Sequence, residues 1–259
     1  MQDLGGRIGV VTGASAGIGE AAARELISRG AKLVINARRA ERLAALKYEL
    51  ESSHGEGCCT VAAGDCADES VINAMLDQAE SAFGKPADLV VVNAGRGLAG
   101  SLLTSDTGEW DEMFRTNLVG AAKLMRAAGE RMTGDVTPET WTDRAHDIIV
   151  LGSVVGRHVS PFSSMYGSTK FAVHSLAEAL RREIGPKGVR VTLIEPAVVL
   201  SEFQAVAGYT DELVASFGEK FGPVLVPADI ARAIGFVASQ PPNVHVSDVV
   251  LRGTRQDYP

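Results

Sequence analysis

The sequence has no excess of basic residues and no long apolar run. Its 25 lysines and arginines are outnumbered by 32 aspartates and glutamates, which gives a formal net charge of −7. A nucleic-acid-binding surface requires a basic face, so this balance argues against a nucleic-acid partner. No apolar stretch approaches the roughly 20 residues that span a bilayer, so we expect no membrane-spanning helix.

Cysteine is scarce as well, and a secretory signal is lacking. Only Cys58, Cys59 and Cys66 are present, without C-x-x-C or Cys/His ligand spacing, so we expect no metal site. The N-terminal residues MQDLGGRIGVV lack a basic start, an apolar segment and a small-residue cleavage site. Reduced, mostly buried thiols fit a reducing compartment, and we predict a cytoplasmic protein.

Short apolar runs alternate with helical patterns along the chain. The seven predicted strands are Arg7–Thr12, Lys32–Asn36, Cys59–Ala63, Asp88–Val92, Asp147–Leu151, Arg190–Glu195 and Asp248–Leu251. The predicted helices are Ile18–Arg29, Glu41–Ser53, Ser70–Phe83, Trp110–Met132, Ser164–Ile184 and Ala228–Ser239. Such alternation indicates βαβ units, and continuous apolar runs are typical of strands covered on both faces. We predict an α/β fold: a doubly wound (Rossmann) parallel sheet of about seven strands flanked by helices, spanning residues 1–259 as a single domain.

Two segments interrupt this alternation. Residues 133–146 are polar and long for a helix-to-strand connection, and they are compatible with a surface insertion. Residues 197–226 follow the end of a strand and have weak periodicity. Long loops in compact domains are usually functional or disordered, and open α/β sheets bind ligands at the carboxyl ends of their strands. We therefore predict that residues 197–226 form a substrate lid.

The first strand leads directly into a glycine-rich turn, TGASAGIG at Thr12–Gly19, and a helix follows. Glycines allow a tight turn and close approach of the backbone to a pyrophosphate. The helix that follows directs N–H groups and the positive end of its dipole at such an anion. A turn without a ligand is the alternative, but the strand–turn–helix order favours dinucleotide binding. The predicted cofactor contacts in this turn are Gly13, Ser15, Gly17, Ile18 and Gly19.

The end of the second strand indicates which dinucleotide is bound. In this fold an acid at that position holds the ribose 2′-hydroxyl of NAD, whereas arginine accommodates a 2′-phosphate. Here the residues are Asn36, Ala37, Arg38 and Arg39, with no acid. Guanidinium groups bind phosphate through several donors, and helix starts usually prefer acids to bases. We predict NADP(H), with Arg38 as the main contact and Arg39 as the second.

Taken in order, several motifs resemble those of the short-chain dehydrogenase/reductase family over nearly the whole chain. The cofactor motifs match at Thr12–Gly19, at Asp65 with the adjacent Cys66, and at Asn93, Ala94 and Gly95. In the family these are the phosphate turn, the acid that contacts the adenine, and the N-A-G motif that shapes the cofactor site. The resemblance implies that the chain is one dinucleotide-binding and catalytic domain.

The catalytic motifs match as well. Asn117 matches the family's asparagine, Ser153 follows the fifth strand at the usual spacing, and MYGSTKFAV carries the Y-x-x-x-K pair Tyr166 and Lys170. The resemblance implies that Tyr166 donates a proton to the carbonyl oxygen while Ser153 hydrogen-bonds that oxygen. Lys170 then holds the nicotinamide ribose, and Asn117 holds a water that links Lys170 to solvent. A phenol has a pKa of about 10, and we expect the neighbouring Lys170 cation to lower it.

Some of these residues also have structural alternatives. Asp65 could be a turn residue, Asn93 a strand-end cap, and Asn117 a bridge between backbone groups at a helix bend. Ser153 lies in GSVVG rather than in G-x-S-x-G, so no hydrolase nucleophile elbow follows. We assign no catalytic role to His158.

The sequence departs from the family pattern after the sixth strand. The family usually has Pro-Gly there, whereas this chain has Pro196 and Ala197, and Ser201 replaces the usual threonine. We expect the backbone around Val199 to contact the nicotinamide amide and the Ser201 hydroxyl to bond the cofactor. The lost glycine puts the local turn geometry in question.

The resemblance implies an oxidoreductase that transfers a hydride between NADP(H) and a carbonyl or secondary alcohol, a small-molecule substrate. The segments Pro227–Ile230, Pro241–His245 and Val250–Gln256 resemble the 3-hydroxy-acid (serine-type) and clavulanate-type dehydrogenase branches. A 3-hydroxy acid is therefore a candidate substrate. Arg157 could meet a substrate carboxylate, although a scaffold ion pair fits it better. The alternatives are a 3-oxoacyl-carrier-protein reductase, a non-catalytic nucleotide sensor, and, disfavoured by the glycine spacing, an epimerase. Family resemblance implies a homotetramer or homodimer.

Overall fold

Seven parallel strands form the centre of the protein in the computed structural model, which describes residues 3–257. The strands are β1 (Ile8–Thr12), β2 (Lys32–Ala37), β3 (Cys59–Ala63), β4 (Leu89–Val92), β5 (His146–Leu151), β6 (Val189–Pro196) and β7 (Asp248–Leu251). Their order across the sheet is β3-β2-β1-β4-β5-β6-β7, and every neighbouring pair is parallel. The predicted doubly wound α/β fold is therefore confirmed, with strand ends within two residues of those expected.

Helices cover both faces of this sheet. Within the described residues they are α1 (Gly17–Ser28), α2 (Ala40–His54), α3 (Glu69–Phe83), α4 (Trp110–Phe114), α5 (Ala121–Asp135), α6 (Ser164–Ile184), α7 (Phe203–Val206), α8 (Asp211–Phe221) and α9 (Pro227–Ala238). Apolar side chains of α1, α2 and α9 form one buried cluster with the sheet, and those of α3, α5 and α6 form the other. Adjacent strand residues point to opposite faces, so Val10 joins one cluster and Val11 the other.

The strand order places the functional edge of the sheet. β1 and β4 are neighbours, and the chain leaves them toward opposite sides of the sheet. Ligands of such sheets bind in the crevice at the carboxyl ends of the strands beside this switch point. The glycine-rich turn after β1 and the N-A-G segment after β4 both lie at this edge.

One predicted helix is interrupted. The pattern Trp110–Met132 predicted a continuous helix, but α4 ends at Phe114, a π-helical turn covers Arg115–Gly120, and α5 follows. A Cβ at Gly120 would lie 3.0 Å from the Cα atom of Ala67, so the backbone approaches its neighbour closely there. Single π-helical turns occur frequently at functional sites, and this one carries Asn117.

The two irregular segments differ in content. Residues 197–226 contain α7 and α8, whose periodicity is weak because α7 has only four residues and α8 buries only Phe221. Residues 136–145 form an irregular connection before β5, whose Trp141 packs against Gly188. None of the helices within residues 3–257 combines the length and the apolar composition that a membrane span requires. The three cysteines form no disulfide; Cys59 is buried, and Cys58 and Cys66 are partly buried.

Candidate active site

The glycine-rich turn has the geometry of a phosphate cradle. Gly13 and Gly17 have φ values of +69° and +58°, a left-handed region that side chains rarely adopt. A Cβ at Gly19 would lie 2.3 Å from the carbonyl oxygen of Gly13, so no larger residue fits there. The helix that follows is preceded by Ala16, which makes no side-chain capping bond. The first N–H groups of α1 thus face the turn without a side-chain cap, as pyrophosphate binding requires.

The N-A-G segment is fixed against this turn. The Asn93 Nδ2 atom donates to the backbone oxygen of Thr12 at 2.8 Å. The N–H groups of Asn93 and Ala94 donate to the Thr12 hydroxyl at 3.1 and 3.2 Å. Asn93 therefore joins the ends of β1 and β4. This is the strand-end cap that was considered as its structural role. A Cβ at Gly95 would lie 3.2 Å from Asn117 Oδ1, which explains why this position is small.

Asn117 is buried and bridges backbone groups. Its Oδ1 atom accepts from the N–H of Arg96 at 2.8 Å, and its Nδ2 atom donates to the Arg96 carbonyl at 2.8 Å. The same Nδ2 atom donates to the Thr169 hydroxyl at 3.2 Å, on the helix that carries the Tyr–Lys pair. The amide thus fixes the chain after β4 against α6.

Ser153, Tyr166 and Lys170 come together where β5 meets α6. The Ser153 hydroxyl lies close enough to Tyr166 to influence the pKa of the phenol, and it donates to the carbonyl oxygen of Pro196 at 3.4 Å. Lys170 lies one turn beyond Tyr166, and its Nζ atom is 5.8 Å from the centre of the tyrosine ring. The ammonium donates to the carbonyl oxygen of Leu151 at 2.7 Å.

Burial controls the protonation of this pair. It raises the pKa of Tyr166 above its usual range, and the neighbouring Ser153 hydroxyl only partly opposes this. The net shift is thus opposite to the predicted lowering by Lys170, whose ammonium is directed at the carbonyl of Leu151. Desolvation also lowers the pKa of Lys170 to about 8. The phenol keeps its proton at neutral pH, and this is the form that can donate one.

The arginines after β2 differ in their contacts. Arg39 donates to the Ser15 hydroxyl in the phosphate turn at 3.0 and 3.2 Å, and its Nη1 atom is 3.0 Å from Glu202. Arg42 pairs with the same carboxylate at 2.5 Å. The side chain of Arg38 is 72% exposed and lies 3.6 Å from Glu112. The structure thus brings Arg39, rather than Arg38, to the phosphate turn.

Sequence reasoning missed Arg42 and Glu202. Arg42 could have been found, because it lies one helical turn after Arg38 and Arg39 on α2. Glu202 could not, because it is far away in the sequence and reaches the arginines only through the fold of residues 197–226.

Asp65 and Cys66 lie at the end of β3. Partial burial pushes the pKa of Asp65 upward, but the N–H of Ala67 and the guanidinium of Arg115 together hold it below its usual range. The N–H of Ala67 donates to the Asp65 carboxylate at 2.9 Å. Such a bond is typical of a turn, the structural alternative considered for Asp65. Burial raises the pKa of Cys66 to about 11, so its thiol is neutral.

Residues after β6 pack over Tyr166. The Phe203 ring packs edge-on against Tyr166 with ring centres 5.5 Å apart. The N–H of Ala99 donates to the carbonyl of Ala207 at 2.8 Å, which joins this segment to the loop after β4.

The first residues after β6 follow the cofactor edge of the sheet. Ser201 lies beside the turn, since a Cβ at Gly17 would be 3.6 Å from it. The Val199 carbonyl is engaged by Gln204 at 2.8 Å, and Ala197 donates to the carbonyl of Leu251 at 2.8 Å. In residues 3–257 no residue other than glycine has a positive φ, so the alanine after Pro196 is accommodated without strain.

The comparisons with known proteins define the class. The sequence model of the protein family described as short chain dehydrogenase matches residues 7–211. The chain therefore belongs to the short-chain dehydrogenase/reductase family. It is an oxidoreductase that binds a nicotinamide cofactor and acts on a small molecule. A similar protein is dehydrogenase/reductase SDR family member 11 of Bos taurus, 33% identical over 254 residues, with 96% of this chain and 97% of that protein covered.

Two solved structures are similar over nearly their whole length. The closed form of serine dehydrogenase complexed with NADP+ is 30% identical, with a TM-score of 0.82 and 97% and 96% of the two chains covered. The 3-ketoacyl-(acyl-carrier-protein) reductase of Brucella melitensis, complexed with NADH, is 25% identical, with a TM-score of 0.83 and coverages of 97% and 99%.

Proposed function

We propose that the protein is an NADP(H)-dependent reductase/dehydrogenase that interconverts a carbonyl compound and a secondary alcohol. The observation that carries the proposal is the grouping of Ser153 beside Tyr166, with a buried Lys170 one helical turn away. The glycine-rich turn and the N-A-G segment lie at the same edge of the sheet, which is where a dinucleotide would reach this pair. When bound, the cofactor supplies or accepts the hydride, and the side chains handle the oxygen and its proton.

Each side chain has a defined task in this proposal. The Ser153 hydroxyl holds the substrate oxygen, and Tyr166 gives that oxygen its proton as negative charge develops there. The loss of this proton leaves a partly buried phenolate, which the Lys170 ammonium stabilises because an opposite charge nearby favours the ionised form. In alcohol oxidation Tyr166 acts as the base. Asn117 positions α6 against the loop after β4, and we propose that it also orders the water that reconnects Lys170 to solvent.

An uncharged ketone or aldehyde is the substrate class that the surroundings favour. Arg157, the candidate for binding a carboxylate, already holds Glu195 through two bonds of 2.9 and 2.5 Å. Leu103 and Phe162 are 93% and 77% exposed, on the loops that precede α4 and α6, and the Gly100 N–H joins these loops by donating to the Phe162 carbonyl. A 3-hydroxy acid would have to displace the Glu195 pair, so NADPH oxidation with matched ketones and 3-oxo acids distinguishes the two classes.

The cofactor is proposed to be NADP(H). Arg38, Arg39 and Arg42 surround the position after β2, where the 2′-substituent of the adenosine ribose lies in this fold. Their ion pairs are with Glu112 and Glu202 on other segments. No acid stands at the end of β2 to hold the 2′-hydroxyl of NAD, since Asn36 and Ala37 are its last residues and Arg38 and Arg39 follow.

The arginines predict a measurable cofactor preference. Arg39→Ala should weaken NADPH binding by roughly ten- to a hundredfold, the effect of one charge-assisted hydrogen bond, and change NADH binding little. Arg38→Ala should have a smaller effect, because that guanidinium is mostly in solvent. The measurement is Kd for both cofactors by fluorescence titration, with kcat/KM as a second readout, and raised salt should weaken NADPH selectively.

Glu202→Gln is the variant with the opposite expected effect. Its carboxylate occupies Arg39 and Arg42 and should compete with the 2′-phosphate, so its neutralisation should tighten NADPH and leave NADH unchanged. Glu49→Gln is a matched control, because Glu49 pairs with Arg24 elsewhere on the surface. If the wild type uses NADH as well as NADPH, the NADP(H) assignment is wrong.

We further propose that residues 197–226 act as the substrate lid, because Phe203 and Ala207 cover the catalytic edge. We also propose a homotetramer or homodimer built on helix pairs and β7. The apolar residues Phe171 and Leu176 on α6 support it, because they are 41% and 38% exposed and a second copy of the chain could cover them. We propose the cytoplasm as the location.

A further inference from the structure

A histidine that sequence reasoning did not single out lies against the proposed substrate-binding serine. The backbone N–H of Ser153 donates to the Nε2 atom of His174 at 3.2 Å. A Cβ at Gly152 would lie 2.3 Å from that atom, and one at Gly156 would lie 2.5 Å from it. The two glycines that flank Ser153 and its turn therefore make room for the imidazole.

The other side of the ring faces a buried acid. The His174 Nδ1 atom lies 3.8 Å from Glu195, which is fully buried on β6. Because Nε2 accepts a backbone N–H, the proton of the neutral ring must lie on Nδ1, directed at Glu195. Glu195 is held in turn by the two bonds from Arg157. A continuous chain of contacts thus runs from Arg157 through Glu195 and His174 to Ser153.

The same helix carries the proton donor and this support. Tyr166, Lys170 and His174 are spaced four residues apart on α6, so they lie on one face of it. α6 therefore fixes the phenol through Tyr166 itself and the serine turn through His174. The relative position of the two hydroxyls that must meet one substrate oxygen depends on a single helix.

We infer that His174 is a positioning residue, which holds the turn 152–156 so that the Ser153 hydroxyl meets the substrate oxygen beside Tyr166. This inference rests on the proposed function, because His174 acts only through Ser153. Loss of the acceptor would leave the Ser153 N–H without this partner and free the turn to move away from Tyr166. Misplacement of a catalytic group by a fraction of the hydrogen-bond length is enough to slow turnover.

The charge state of the ring supports this role. Burial is the main cause that lowers the pKa of His174, to about 4. The positive charges of Lys170 and Arg157 lower this pKa further, whereas the negative charges of Glu195 and Asp248 oppose the shift. The imidazole is therefore neutral at pH 7, and its Nε2 atom is available as an acceptor.

The test is a double-mutant cycle between His174 and Ser153. His174→Leu, which removes the acceptor and fills the space with an apolar side chain, should lower kcat on the order of tenfold while leaving Kd for NADPH unchanged. His174→Gln keeps a side-chain acceptor and should recover most of that loss. In a Ser153→Ala background, His174→Leu should have little further effect, because the hydroxyl that it positions is gone.

His245→Gln is the matched control, since His245 is also partly buried and bonds the carbonyl of Val191 at 2.9 Å, near the start of β6. It should leave kcat unchanged. A His174→Leu effect that is equally large in the Ser153→Ala background overturns the inference, since the residue would then act on the fold as a whole. If Ser153→Ala is impaired but His174→Leu is not, only the inference fails. If Ser153→Ala turns over like the wild type, the proposed role of Ser153 fails, and the inference with it.

Discussion

Replacement of Tyr166 with phenylalanine should lower kcat by roughly 100- to 10,000-fold, the contribution of a positioned general acid. The change removes the phenol proton and keeps the ring that packs edge-on against Phe203 at 5.5 Å. The affinity for NADPH should persist, because the glycine-rich turn and the arginines after β2 are untouched. The measurement is single-turnover oxidation of NADPH together with a direct titration of cofactor binding.

Tyr209→Phe is the matched control for this change. Tyr209 is a second largely buried tyrosine, whose ring packs against Phe217 at 6.3 Å in the proposed lid. Burial also raises the pKa of Tyr209, yet it should tolerate loss of the hydroxyl. If Tyr166→Phe retains more than about a tenth of the wild-type kcat, a barrier change below about 1.4 kcal/mol, Tyr166 is not the general acid.

Lys170→Met should impair both turnover and cofactor binding, because one ammonium is proposed to serve both. We expect Kd for NADPH to rise by roughly ten- to a hundredfold, as for the loss of a charge-assisted hydrogen bond. Methionine is close in length, so the change chiefly removes the charge and the 2.7 Å bond to the carbonyl of Leu151. Lys123→Met, at an exposed position of α5, is the control.

The pH profile adds a readout that packing alone would not change. Burial lowers the pKa of Lys170 to about 8, so the ammonium loses its proton as the pH rises through that value. The activity that depends on the charge should be present below pH 8 and decline above it, and Lys170→Met should lack this decline. A normal Kd for NADPH together with an unshifted profile would show that Lys170 is not involved.

The strands and their order along the chain could be predicted because most are short apolar runs, and the five central strands are buried on both faces. The edge strands β3 and β7 are partly exposed. The β1–turn–α1 unit was also predictable, since its glycines are required locally: Gly13 and Gly17 have positive φ, and Gly19 lies against a backbone oxygen. Such requirements are confined to neighbouring residues, so they are visible in the sequence.

The features that could not be predicted depend on distant parts of the chain. The π-helical turn at Arg115–Gly120 has no local signature and accompanies close backbone packing at Ala67. The ion pairs of Glu202 and the contact of His174 with Ser153 exist only after distant segments have packed together. The pKa of Tyr166 likewise depends on how deeply the fold buries the phenol, which spacing on a helix does not reveal.

The proposal that these residues reduce a carbonyl with NADPH is tested most directly by isotope transfer. NADPH deuterated at the reactive carbon of its nicotinamide ring is incubated with the enzyme and a panel of ketones and aldehydes, and the products are analysed by NMR. We predict that deuterium appears at the carbinol carbon of at least one product with wild-type enzyme, and that Tyr166→Phe forms this product only at a strongly reduced rate. Tight NADPH binding without transfer to any carbonyl of the panel would contradict the account and indicate a nucleotide sensor.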